Sequence, residues 1–227
     1  KVKEIAFSFT AGGKSCHIGG IAKGSGMIHP NMATMLVFVT TDCAITPEML
    51  KSALDADVPD SFNMISIDGD TSTNDMVTVL ANGEAGNDEI TEAGEDYDAF
   101  CAALAETTRA LCRMIAADGE GASKLLECKV SGAADVKTAK TVAKSVICSS
   151  LLKAAMFGAD ANWGRILCAI GYTEGDFAVD TIQVDISSPK GSILVCENGA
   201  GVAFDEDKAK EILLEDAIHI EIAMKHG

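Results

Sequence analysis

The spacing of apolar residues changes several times along the chain, and each change predicts an element. Residues 4–9 alternate apolar with polar, as a strand with one buried face does. Ala11-Gly12-Gly13-Lys14 is a tight-turn signal, and residues 15–21 read as the hairpin partner. Residues 23–33 carry glycines, a proline and small polar residues, which read as an irregular loop. Residues 34–41 are β-branched and apolar without a breaker. The run Val37-Phe38-Val39 suits a strand buried on both faces. Thr46 and Pro47 supply an N-cap and a first helical residue, and Met49, Leu50, Ala53 and Leu54 recur at helical spacing until Val58-Pro59.

Residues 61–68 read as a short strand and residues 75–80 as another, closed by Asn82-Gly83. Phe100, Leu104, Leu111, Met114 and Ile115 fall on one face of a long helix that ends at residues 118–122. Residues 125–130 form a strand. Asp135 caps a helix carrying Val136, Ala139, Ala143, Val146 and Ile147, with Lys137, Lys140 and Lys144 on another, solvated face. Residues 151–157 read as extended, 158–162 as a turn and 163–170 as a helix. Strands follow at 181–186 and 193–196, a helix from Asp205 to about 213, and a cleanly alternating strand at 218–222. Strands and helices intermix without a strict βαβ rhythm. The fold class expected is α/β (α+β), a mixed sheet core with flanking helices.

Composition narrows the chemistry. The 227 residues are 48% hydrophobic, enough for a sizeable core in one large or two small domains. The net charge is −16 and no basic stripe is present, which argues against nucleic-acid or anionic-membrane partners. None of the eight cysteines forms a C-x-x-C pair and most sit in apolar runs. Buried free thiols in a reducing cytoplasm are favoured over a disulfide framework. The four histidines stand apart from any cysteine pair, so no metal site is expected. No apolar run reaches the ~18 residues of a spanning helix, and no charged-then-apolar leader opens the chain, which starts at Lys1.

Two motifs invite chemistry. The acidic run at 68–75 (DGDTSTND) superficially suggests a calcium loop, but its sixth position is Thr73 rather than Gly and its twelfth is Val79 rather than Glu. A hydrogen-bonded turn without a chemical role is the better reading. Thr34 stands where the loop meets the strand. On the residues alone it is either the first residue of a strand, as its β-propensity allows, or a nucleophile that a loop makes accessible.

The run GGIAKGSGMIHPNMATMLVFVTTD at 19–42 resembles the self-cleavage region of the ornithine acetyltransferase family. The resemblance implies an N-terminal-nucleophile-type, self-cleaving acyltransferase of arginine biosynthesis. Its precursor is cut at Ala33–Thr34, so residues 1–33 close an alpha chain and 34–227 form the beta chain. Thr34 then takes acetyl from N-acetylornithine and passes it to glutamate. The freed α-amine of Thr34, with an unperturbed pKa of about 7.7–8.0, serves as its own base. By position, Lys23 matches the family's substrate-binding lysine and Glu120 its substrate-binding glutamate. Asp160, Asn162 and Arg165 lie in a further matching run (GADANWGR at 158–165) and are weaker candidates for the site. No bound cofactor is implied, although acetyl-CoA is a donor for some members. The implied assembly is two alpha and two beta chains, cytoplasmic, without nucleic acid or membrane.

Only 33 residues precede Thr34, and the family's oxyanion-hole Thr-Gly pair lies further upstream. Its last substrate contacts, an Asn and a Ser or Thr, lie beyond position 227. Lacking an oxyanion hole is expected to cost about 10²–10³ in rate. Two other readings stay open: an aminopeptidase or other hydrolase with an N-terminal nucleophile, and an inactive piece that serves as an assembly partner.

Overall fold

A computed structural model describes residues 1–29, 35–175 and 177–225. The chain divides into two compact units, Lys1–Glu120 and Gly121–Gly227.

The first unit opens with β1 (Glu4–Ala11) and β2 (Lys14–Lys23), an antiparallel hairpin closed at Gly12 and Gly13, both at positive φ. β3 (Leu36–Thr41) pairs antiparallel with β2 and parallel with β4 (Met76–Ala81), giving a mixed sheet in the order β1-β2-β3-β4. Helix α1 (Pro47–Asp57) starts where the sequence signals it, with the Thr46 hydroxyl accepting from the Met49 N–H. The long helix α2 (Glu95–Ala117) packs across β1 and β2. It can approach closely because β2 carries Gly20 at the contact: a Cβ there would sit 2.9 Å from Leu111 Cδ1. Phe100, Leu104, Leu111 and Ile115 are fully buried against Ile18, Val37 and Val39. Each such side chain contributes roughly 1.5–3 kcal/mol relative to exposure. Phe9 meets Phe100 edge-on with ring centroids 6.0 Å apart.

Two expectations fail in this unit. β3 is buried on one face only: Val37, Val39 and Thr41 point inward, while Leu36 and Phe38 are 38% and 40% exposed. A run of apolar residues reports hydrophobicity, not whether a second layer covers it. Residues 61–68 form no strand. Short 3₁₀ turns at Val58–Asp60 and Phe62–Met64 satisfy the backbone locally, through the Met64 N–H to the Ser61 carbonyl and the Ile65 N–H to the Phe62 carbonyl.

The second unit contains β5 (Leu125–Ser131), α3 (Val136–Cys148), α4 (Ser150–Phe157), α5 (Trp163–Gly171), β6 (Gln183–Ser188), β7 (Gly191–Glu197), the two-residue β8 (Ala200–Gly201), α6 (Glu206–Leu213) and β9 (Ala217–Ala223). The sheet order is β5-β9-β6-β7-β8, with β5 parallel to β9 and the other pairs antiparallel. Asp135 and Asp205 cap α3 and α6 as their positions predict. The extended segment expected at 151–157 is instead α4. The Ser149 hydroxyl accepts from the Leu152 N–H, and Leu152, Ala155 and Met156 are buried at i, i+3 and i+4. Its Leu, Ala and Met content favours a helix. β6 starts two residues later than expected because a 3₁₀ turn occupies Val179–Thr181. Val136, expected on the apolar face of α3, is 70% exposed.

Both units are mixed α/β, as the element pattern implies. All eight cysteines are free thiols. Four are buried and Cys168 is exposed. Among the described residues no helix is long and apolar enough to cross a membrane.

Candidate functional site

Ala33 and Thr34 lie outside the described residues, so the site is built from what flanks them. The β2–β3 register pairs Lys23 with Leu36, which makes residues 24–35 the connection of a hairpin. Within it Ile28 and Met35 are anchored by burial, at 0% and 2% exposed. Lys23 is exposed and shares with Ile21 the face of the sheet away from α2.

Three backbone hydrogen bonds, the Thr71 hydroxyl and two carboxylates hold the described part of this connection. The Glu120 N–H donates to the Ser25 carbonyl at 2.6 Å, and the Ile67 N–H to the Ile28 carbonyl at 2.7 Å. The Thr71 hydroxyl donates to the His29 carbonyl at 3.0 Å. The Met76 N–H donates to the Met35 carbonyl at 2.9 Å. Glu120 leans over the loop: a Cβ on Gly26 would come within 2.8 Å of Glu120 Oε2, the end of an exposed side chain that can swing aside. Asp68 accepts from the N–H groups of Met27 at 2.6 Å, Ile28 at 3.1 Å and Asp70 at 3.1 Å. Burial pushes the Asp68 pKa up, but these three amides outweigh it and leave the pKa lowered. The anchoring sustains Met27 at φ +54°, a conformation unusual for a non-glycine residue.

Asp75 holds the other end. Its Oδ1 accepts from the Met35 N–H at 2.6 Å. Its Oδ2 is shut off from solvent and has no hydrogen-bond partner among the described residues. Desolvation raises the Asp75 pKa against the opposing pull of the Met35 amide.

The structure thus brings Lys23 and Glu120 to one loop. Both side chains are exposed, and no ion pair joins them among the described residues. Asp160, Asn162 and Arg165 form their own cluster in the second unit. Asn162 Nδ2 donates to Asp160 Oδ2 at 3.0 Å, and Asn162 Oδ1 accepts from the Arg165 N–H at 3.1 Å as the N-cap of α5. The Arg165 guanidinium donates to the Leu151 carbonyl at 2.8 Å, tying α5 to α4. Each of the three has a local structural job.

Asp68 and Asp75 are the residues that reading the sequence missed. The run 68–75 does turn on itself, with Gly69 at φ +85°, but its first and last carboxylates grip amides some forty positions earlier. Among the described residues no group of three His, Cys, Asp or Glu side chains could hold a metal ion.

The profile of the ArgJ family matches residues 1–227. The "Arginine biosynthesis bifunctional protein ArgJ 1" of Clostridium acetobutylicum is 49% identical over 99% of this chain and 55% of its own length. The ArgJ of Symbiobacterium thermophilum is 50% identical over 95% of this chain and 53% of its own. The chain spans about half the length of the curated relatives it matches. A crystal structure of the ArgJ of Bacillus halodurans superposes with a TM-score of 0.79 at 43% identity, covering 84% of this chain and 88% of that one.

Proposed function

Because this chain belongs to the ArgJ family, we propose that it carries the self-cleaving, acetyl-transferring part of an arginine-biosynthesis enzyme with Thr34 as nucleophile. The observation that carries the reading is the match to bifunctional arginine-biosynthesis proteins across the whole chain, at about half identity. What supports it at the site is a hairpin connection anchored on both sides of residues 33–34, with Lys23 and Glu120 beside it.

In the precursor, Thr34 Oγ attacks the Ala33 carbonyl, an N-to-O acyl shift gives an ester, and water releases residues 1–33 from 34–227. The new α-amine of Thr34 then takes the hydroxyl proton in each turnover. Acetyl moves from N-acetylornithine to Thr34, ornithine leaves, and glutamate takes the acetyl as N-acetylglutamate. Lys23 binds the substrate α-carboxylate and Glu120 the ornithine side-chain ammonium, both as charge-assisted contacts. Asp160, Asn162 and Arg165 support the fold of the second unit. Acetyl-CoA serves as the second donor that the relatives' "bifunctional" names suggest. The cut enzyme assembles from two alpha and two beta chains in the cytoplasm.

Mass spectrometry of the full-length protein tests the cut: a new N-terminus at Thr34 is expected, and none in Thr34→Ala. Acetyl transfer from N-acetylornithine to glutamate should disappear with it. Release of free acetate without dependence on glutamate would make the protein a hydrolase instead.

A further inference from the structure

The chain contains two Asn-Gly pairs, Asn82-Gly83 after β4 and Asn198-Gly199 between β7 and β8. Such a pair carries a reaction of its own. The glycine nitrogen can close a five-membered ring on the asparagine Cγ, and glycine, having no side chain, hinders that approach least. Exposure does not separate the pairs: both asparagines are exposed and both glycines half-buried. Hydrogen bonding does. In the second unit the Gly199 N–H donates to the Ile182 carbonyl at 2.9 Å, so the nitrogen is held against another acceptor. Asn198 and Gly199, at φ +51° and +72°, are the two-residue turn closed by the pairing of Glu197 with Ala200. A Cβ on Gly199 would lie 2.4 Å from the Val179 carbonyl oxygen, so the backbone cannot move that way. In the first unit the Gly83 N–H has no acceptor among the described residues. Asn82 Oδ1 accepts instead from the Glu84 N–H at 3.1 Å. That bond folds the side chain along the backbone of Gly83 and draws charge from Cγ onto Oδ1, as a donor in an oxyanion hole does.

We propose that Asn82 is a site of spontaneous deamidation in the folded protein, and that Asn198 is shielded from it by the hydrogen bond from Gly199 to Ile182. The Gly83 nitrogen bonds to Asn82 Cγ and gives its proton to solvent. The bond from Cγ to Nδ2 breaks, and Nδ2 takes a proton from solvent and leaves as ammonia, so that a succinimide remains. Water opens the ring at either carbonyl, to aspartate or to isoaspartate at position 82. One water is consumed, one ammonia is released, and nothing is oxidised or reduced. The new carboxyl ionises, so the chain gains one negative charge on top of its −16. The isoaspartate route also lengthens the main chain by one carbon. It does so between the Asn82 N–H, which donates to the Thr41 carbonyl at 3.2 Å, and the Ala85 N–H, which donates to the Asp42 carbonyl at 2.8 Å. The modification therefore falls at the end of the β3–β4 pairing, where those two bonds set the spacing of the backbone.

The test ages the full-length protein at mildly alkaline pH, digests it, and follows both asparagine peptides by mass, with isoaspartate scored by enzymatic methylation. In the folded protein, position 82 should convert at least about fivefold faster than position 198, the factor that one net hydrogen bond gives. In concentrated urea the Gly199 bond is gone, and the two rates should agree within about twofold. Lys225 Nζ donates to Asn198 Oδ1 at 3.2 Å. Lys225→Met should nevertheless leave position 198 as slow as before, because the Gly199 bond remains. Equal rates in the folded protein, faster conversion at 198, or a ratio that persists unchanged in urea overturns the inference. So does a Lys225→Met variant whose position 198 converts as fast as position 82, since the lysine and not the Gly199 amide would then be the shield. Every one of these outcomes reads the same whether or not the chain is cut at Ala33–Thr34, so the inference stands or falls apart from the nucleophile reading.

Discussion

The sheets of the two units have opposite outer faces. In the second unit, Val184, Ile186, Ile218 and Ile220 are fully buried, and the residues that alternate with them, Asp185, Ser187, His219 and Glu221, are polar. In the first unit, Val37 and Val39 are fully buried, but the outward positions are Ile21, Leu36, Phe38, Met76 and Leu80, between 38% and 57% exposed. The strand registers make these five neighbours: Phe38 pairs with Ile21, Leu36 with Met76, and Thr40 with Leu80. Lys23 ends the same face. A clustered exposed apolar surface is unusual on a finished protein surface and marks function or contact. The second unit resembles a scaffold with its apolar groups satisfied. The first keeps apolar surface exposed on the face that Lys23 ends.

The comparison makes its largest claim about Ile186, which is fully buried and pairs with Ile193 and Ile220. Ile186→Ala should cost about 2–5 kcal/mol, as truncation of a buried aliphatic side chain does. Urea unfolding measures this. Cleavage at residue 34 should keep its wild-type rate in the folded protein. A slowed cut in a folded Ile186→Ala variant would break the division between scaffold and site.

A smaller effect tests how the first unit holds Glu120. Lys3 is 7% exposed and donates to Asp118 Oδ2 at 2.6 Å, joining the start of β1 to the segment just before Glu120. Hydrogen bonds from Lys3 and, second, from the N-terminal ammonium of Lys1 lower the Asp118 pKa to about 2. A carboxylate with a depressed folded pKa adds stability above its unfolded value of about 3.9, and that stability is lost as pH falls through the folded value. The window is therefore about pH 4 down to about pH 2. Lys3→Met should move the acid-unfolding midpoint upward. An unchanged midpoint would show that the pair contributes nothing measurable to the first unit.

How much of this was legible in the sequence depended on whether the cause was local. Caps at Thr46, Asp135 and Asp205 act within three residues, and all three helices start where those side chains predict. The hairpin of β1 and β2 and the alternation of β9 were equally plain, because turn glycines and a period of two are local signals. Helix α4 was not, because Ser149 caps it directly after α3 ends at Cys148 and no breaker separates the two. At the proposed site, Ala33–Thr34, Lys23 and Glu120 are singled out by resemblance alone, and only the placing of Lys23 and Glu120 at one described loop can be compared with the structure. The roles of Asp68 and Asp75 could not, since their partners are amides 40 and 41 residues away and only the parallel pairing of β3 with β4 and its preceding loop brings them together.

The smallest predicted effect bears most directly on the exposed face. Phe38 is as apolar as any core residue, and its place between Val37 and Val39 suggests a buried one. If it were buried, Phe38→Thr would cost several kcal/mol, in the range of aromatic truncations. At 40% exposure it should lose little more than its cross-strand contact with Ile21, at most about 1 kcal/mol, and threonine keeps the strand propensity. Chemical denaturation of the 227-residue chain decides between these values. A loss above about 2 kcal/mol would mean that the chain already covers this face by itself. A loss near zero would mean that the apolar character of Phe38 does not serve the stability of this unit, so that its reason has to be sought at the Lys23 end of the same face, beside the proposed site.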